Sequence, residues 1–237
     1  MPHLHRAVRL LATLLVLAGG AGARADDISG LLYNTGEVAS GNVDQKYLLK
    51  LLATSNEADA KALYRARGDA GLVNATAYLT TPHPNWLANS SDSKWIGPQQ
   101  NAGLESATPG WYFYYLDVDL TGYVPGTVAV NGKWTADNNA ELWLNGTKQV
   151  EEVAFAGYHS FSLFGVPDSP GSFHAGANEI LFKVWNPGGY ASGNPSGLRV
   201  EFTTATATPV PEASTLLGFG GLLAGGVGLA WRARKRA

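Results

Sequence analysis

Trp111-Tyr112-Phe113-Tyr114-Tyr115-Leu116-Asp117-Val118-Asp119-Leu120 is the stretch that decides the fold. Side chains of a strand point alternately to opposite faces. Tyr112, Tyr114, Leu116, Val118 and Leu120 therefore share one face, and Trp111, Phe113, Tyr115, Asp117 and Asp119 share the other. Downstream, Thr127 to Trp134 alternates Val128 and Val130 with smaller or polar residues. Glu141 to Leu144 then runs into Asn145-Gly146, a strong hairpin-turn signal. Tyr158 to Phe164, Asn178 to Trp185 and Leu198 to Phe202 continue in the same manner. Upstream, Tyr47 to Leu52 and Ala75 to Leu79 are further strand candidates. Only Asn56 to Arg67 has the look of a helical turn or two. Seven or eight short strands separated by turn signals predict an all-β, antiparallel sandwich or jelly roll over residues 26–203.

Composition agrees. The 237-residue chain holds 29 Gly, 12 Pro and seven Trp, a mixture that favours turns and strands over long helices. It has no Cys, which excludes thiol catalysis, disulfides and cysteine-based zinc sites and leaves stability to the core. The formal net charge of −2 conceals an asymmetry. From Asp26 to Val210 there are ten Lys and Arg against 18 Asp and Glu, while basic residues collect at both ends. A body at −8 repels a phosphate backbone, so nucleic acid is excluded as a partner.

Residues 1–25 read as a secretory signal peptide. His3, His5, Arg6 and Arg9 form the positive start, Leu10 to Ala18 the apolar run, and Ala23-Arg24-Ala25 the small-x-small site for cleavage before Asp26. The implied partners are the Sec translocon and signal peptidase. At the other end, residues 204–209 read as a Thr/Ala linker. Beyond it lie a motif at 210–215, an uncharged span at 216–231 and a basic end at 232–237. Sixteen residues rise about 24 Å as a transmembrane helix, short of a hydrocarbon core of about 30 Å. Trp231 at the interface and snorkelling arginines make up part of the difference. Arg232, Arg234, Lys235 and Arg236 form a membrane stop that stays cytoplasmic and leaves the acidic body outside.

The order of motif, span and basic end resembles the PEP-CTERM sorting signal of exopolysaccharide-producing Gram-negative bacteria. Val210, Pro211, Glu212 and Ala213 occupy the motif, with Ala213 in place of the second Pro. The resemblance covers 210–237 and implies recognition by an exosortase. The protein is then expected to be held transiently in the inner membrane and afterwards to reside at the cell surface or in the extracellular matrix.

Within the body, four pieces follow in order. They are Trp111 to Leu120, Val130-Asn131-Gly132-Lys133-Trp134, Ala140-Glu141-Leu142-Trp143-Leu144-Asn145-Gly146, and an F-x-x-G-x-N turn from Phe173 to Asn178. Together they resemble the galactose-binding-like jelly roll found as an accessory domain on β-galactosidases and β-glucuronidases. Turn chemistry at Asn131-Gly132 and Asn145-Gly146 by itself accounts for these residues, so the motifs mark the fold first.

For chemistry there are three readings. Catalysis is disfavoured: His159 and Ser160 are adjacent on a strand and so face opposite ways, and there is no G-x-S-x-G. Asp117 and Asp119 would invite a glycosidase reading but also suit a solvent-facing stripe. No cofactor is expected beyond a structural Ca²⁺, which such jelly rolls often hold, at Asp137 and Asn138 in an Asp-Asn-Asn turn. Carbohydrate is the third. Flat aromatics beside planar amides suit pyranose rings, and Trp95, Asn138, Trp143, Asn145, Trp185 and Asn186 are the candidates, with Trp86 and Trp134 close behind. The expected function is a non-enzymatic surface or matrix protein associated with exopolysaccharide or biofilm. The alternative is a carbohydrate-binding module with a defined glycan, and a secreted glycoside hydrolase comes third.

Overall fold

In the computed structural model, which describes residues 24–53, 71–187 and 194–211, the tyrosine-rich stretch is a strand running Gly110–Asp119. In chain order the described strands are β1 (Asp26–Asp27), β2 (Ala39–Ser40), β3 (Val43–Asp44), β4 (Leu48–Ala53), β5 (Val73–Ala75), β6 (Tyr78–Leu79), β7 (Ile96–Gly97), β8 (Gly110–Asp119), β9 (Tyr123–Leu144), β10 (Thr147–Phe164), β11 (Ala177–Asn186) and β12 (Gly197–Pro209). The strand pairs are antiparallel, in the order β2-β3-β6-β7-β12-β9-β11-β8-β4-β5, with β1 beside β12 and β10 beside β9. The fold is the expected all-β antiparallel jelly roll, built on one curled sheet. Asp26–Ala207 form a single compact unit.

β9 makes the sheet curl. Its last residues, Asn139 to Leu144, pair with Trp185 to Ile180 of β11. Its earlier half lies against β12, where Thr203 Oγ1 donates to the Asn131 carbonyl at 3.2 Å and Asn131 Nδ2 donates to Thr204 Oγ1 at 2.9 Å. One strand of 22 residues thus belongs to both layers. Its turn into β10 is the predicted one: Asn145 and Gly146 sit at φ 46° and 77°, the left-handed region a two-residue hairpin demands.

The core lies between the layers. Tyr112, Tyr114, Leu116, Val118 and Leu120 point inward, as the alternation required, and meet Ile180, Phe182, Val184, Leu142 and Leu144. From the other layer come Val128, Val130, Trp134, Phe161, Leu163, Leu198 and Val200. Phe182 packs against Trp134 at 5.5 Å and Phe161 at 6.3 Å. The opposite face of β8 is buried too: Trp111, Phe113 and Tyr115 join Leu52, Leu181 and Trp185 in a second apolar cluster. Asp117 and Asp119, further along, face solvent.

Two expectations are corrected. Residues 204–209 are no linker. They continue β12, with Ala205 and Ala207 buried and Asp26 and Asp27 of β1 paired to Ala207 and Thr206. The Thr/Ala alternation has the period of a strand, and the small Ala side chains let β12 lie close to the core. Asp137 and Asn138 are also in no tight turn; they lie inside β9, opposite the register shifts of β10 between Val153 and His159. The signal peptide through Ala23, the helical expectation at 56–67, Glu212 and Ala213, and the tail at 216–237 lie outside the described residues. Among the described residues no helix is long and apolar enough to cross a membrane.

Candidate functional site

Most of the predicted aromatic and amide candidates belong to the framework. Trp95 is fully buried, with its ring 4.3 Å from that of Trp86 and its Nε1 donating to the Leu87 carbonyl at 2.7 Å. Trp185 packs on Trp111 at 5.6 Å within the second cluster. It lies at the end of a strand covered on both faces, whose last residue is Asn186. Asn186 is itself buried, donating to backbone carbonyls of Ala107, Thr108 and Asn194 and accepting from Asn194 Nδ2 at 2.6 Å. Asn145 locks the two turn motifs together. Its Nδ2 donates to Asn178 Oδ1 at 2.8 Å and to the Ser172 carbonyl at 2.7 Å, and its Oδ1 accepts from Glu179 N at 2.9 Å. Trp143 stays half-buried, capped by Lys183 Nζ 3.4 Å above its ring.

Asn138 leads to a different centre. Its Oδ1 accepts from Asn194 Nδ2 at 2.9 Å, which ties it to the strand entering β12. Its neighbour Asp137 is 5% exposed and holds the Trp86 indole N–H at 2.8 Å through Oδ2. Asp137 Oδ1 is buried with no hydrogen-bond partner. Burial pushes this carboxyl up to about 6, against the pull of the Trp86 hydrogen bond and the nearby His83 charge. Ser196 Oγ donates to the Asp137 carbonyl at 3.2 Å, and the Ser196 carbonyl accepts from Gln99 Nε2 at 2.8 Å. Gln99 Oε1 is a second buried acceptor without a donor. Unpaired buried acceptors are costly and uncommon, so a hydrogen-bond donor, a water included, would be favourable at Asp137 Oδ1 and at Gln99 Oε1.

Three elements hold the centre. β9 supplies Asp137 and Asn138. The entry to β12 supplies Asn194 and Ser196, and Gly197 is required because any Cβ there would lie 2.8 Å from the Trp86 ring. The loop from His83 to Trp95 supplies Trp86 and is fixed by a buried arginine: Arg199 donates to Ser93 Oγ at 2.9 Å, to Ser90 Oγ at 2.7 Å and to the Ala88 carbonyl. His83 flanks Trp86, with ring centroids 6.3 Å apart. Sequence reasoning weighed Trp86 but passed over Asp137 as a sugar ligand. Its only signal was a lone carboxylate beside two amides in the run Asp137-Asn138-Asn139.

The oxygens left over here suit the O–H of a hydroxyl, from which they would accept, better than Ca²⁺. One free carboxylate oxygen and one free amide oxygen fall short of the roughly six to eight oxygens that calcium takes. Among the described residues no three acidic, His or Cys groups come together. Elsewhere, a cleft of about 470 Å³ is lined by Asn34, Glu37, Ser91, Asp92, Glu201 and Phe202, and none of the predicted site residues reaches it. Asp119 is engaged in its own turn, accepting from Thr121 N and Oγ1.

No protein-family model matches the chain, and no curated protein matches it in sequence. Solved structures do. TmCBM61 in complex with β-1,4-galactotriose is similar at 12% identity and a TM-score of 0.26, covering 40% of this chain. The overlap spans 63% of that module. The PA14 sugar-binding domain from an RTX adhesin is similar at 16% identity and a TM-score of 0.31, covering 70% of this chain and 99% of that one. A cyclase from Fischerella sp. is similar at 9% identity and a TM-score of 0.39, covering 80% and 100%.

Proposed function

We propose that this protein is an exported, non-enzymatic carbohydrate-binding module, and that the Asp137 centre is where it holds its glycan. The observation that carries the reading is the Asp137 carboxylate, one oxygen held by the Trp86 indole and the other buried without a hydrogen-bond partner. A sugar hydroxyl is a strong donor to such an oxygen, and charge-assisted bonds of this kind are about twice as strong as neutral ones. Gln99, joined to the same segment through the Ser196 carbonyl, carries a further unpaired acceptor, and Asn138 and Asn194 are bonded to each other beside Asp137. TmCBM61 and the PA14 domain are named for sugars; for this chain the support is the centre itself.

Export is part of the same proposal. The signal peptide, the sorting motif at Val210 to Ala213 and the basic end deliver the module through the translocon, signal peptidase and exosortase to the cell surface or matrix. There, exopolysaccharide is the abundant ligand.

The test is a glycan array with the purified protein, followed by calorimetric titration of each hit with and without Ca²⁺. Binding that Asp137→Ala abolishes supports the assignment. An array with no hit, or hits indifferent to Asp137→Ala, refutes it. Binding that needs Ca²⁺ would restore a cation to this centre.

A further inference from the structure

In an Asn-Gly pair the asparagine side chain is open to attack by its own backbone, because glycine has no side chain to shield the following nitrogen. The chain holds two such pairs, Asn131-Gly132 and Asn145-Gly146. The first lies inside β9, where Gly132 is buried and a Cβ would fall 2.4 Å from the Phe161 ring. The second forms the β9–β10 turn. Gly146 is exposed there, and no atom beyond its chain neighbours lies within 4 Å of where its Cβ would be. Reaction at this pair would begin with the Gly146 nitrogen attacking Asn145 Cγ. A five-membered succinimide closes as the Cγ–Nδ2 bond breaks, and Nδ2 leaves as ammonia with the glycine amide proton. Water then opens the ring to aspartate or isoaspartate.

The fold holds every polar atom of that side chain. Nδ2, the leaving group, donates to Asn178 Oδ1 at 2.8 Å and to the Ser172 carbonyl at 2.7 Å, and Oδ1 accepts from Glu179 N at 2.9 Å. The Asn145 backbone is tied to the same strand, its N–H donating to the Glu179 carbonyl at 3.0 Å. Expelling Nδ2 breaks two of these bonds. Asn178 is pinned in turn: it is buried, its Oδ1 accepts from His174 N at 2.9 Å, and its Nδ2 donates to the carbonyls of His174 and Gly176, both at 2.8 Å. It therefore cannot turn its amide round to suit the product. Aspartate at 145 would set a carboxylate oxygen against Asn178 Oδ1 and the Ser172 carbonyl. Isoaspartate would add a methylene to the main chain between Leu144 and Thr147, which pair across the turn.

We infer that Asn145-Gly146 is a site of self-modification that the fold keeps closed, and that Asn178 is its guard. Each bond of ordinary net strength that must break slows the reaction by about fivefold. The pair deamidates when β11 parts from the turn, so the modified chain records opening at this end of the molecule. The site is independent of the glycan reading and survives its failure.

Peptide mapping with mass spectrometry reads both Asn-Gly pairs in one experiment, on the purified protein at pH 8, folded and in urea. Deamidation at Asn145 should be at least about tenfold slower in the folded protein than in urea. Equal rates overturn the inference, and this comparison needs no variant. In Asn178→Ala, with folding verified by tryptophan fluorescence, Asn145 should react several-fold faster than in the parent while Asn131 keeps its rate. No change at Asn145, or an equal rise at both pairs, removes Asn178 as the guard. Asn145→Asp, the product made directly, should unfold at lower urea than the parent; equal or greater stability overturns the account of the lock.

Discussion

Replacing Asp137 with Asn should make the protein more stable and less functional at once. Folding buries this carboxyl and lifts it from an ordinary 3.8 to about 6. The folded state therefore holds its proton more tightly than the unfolded chain does. Stability is highest with the carboxyl protonated and falls as pH rises from about 4 through about 6. Above that, the ionised side chain costs about 3 kcal/mol. An amide of the same shape keeps an acceptor for the Trp86 indole and carries no charge to desolvate. Asp137→Asn should accordingly raise the unfolding free energy by about 3 kcal/mol at pH 8, which for a body of this size is about 6–12 °C in Tm. At pH 4 the difference should shrink to about half a kcal/mol. Urea unfolding followed by tryptophan fluorescence at both pH values measures it. A variant that is less stable than the parent at pH 8, or whose effect is the same at both pH values, would refute the account of Asp137 as a buried, uncompensated charge. The same variant should lose glycan binding, because the amide bonds a hydroxyl without the charge.

Three further outcomes follow from the packing. Trp95→Ala should cost about 3–5 kcal/mol by emptying a fully buried site under Trp86, read by calorimetry. Asn145→Ala removes three hydrogen bonds and forces a left-handed φ on alanine, so a loss of about 2–3 kcal/mol is expected. Asn145→Gly should recover only the backbone part of that loss. A chain stopped after Thr203 should lose about 3 kcal/mol relative to one stopped after Pro211, because it strips the β1 pairing and exposes Ile28; equal melting of the two would restore the linker reading.

The fold was legible where side chains alternate strongly. The period-two pattern of Trp111 to Leu120 foretold which residues face the main core, and Asn145-Gly146 foretold the hairpin. β12 was misjudged past Phe202 because its alternation there is of Thr with Ala, a contrast of size and polarity too weak to register beside one of Tyr with Asp. The site was harder to see. Trp95 and Trp185 carry the chemistry of a sugar platform, but burial is a property of the fold, and a strand covered on both faces has no outward side. Asp137 gave the opposite difficulty. A single acid among amides reads as an ordinary surface turn, and only three-dimensional placement shows one oxygen held and the other left over. What brings Trp86 to it is Arg199, more than a hundred residues away in the chain.

Because β9 is shared by both layers, neither half of the molecule owns it. Tearing one layer open strips the other of its central rail, so the two halves stand or fall together. A protein with no disulfide to hold it together thereby gains protection against being opened piecemeal by proteases.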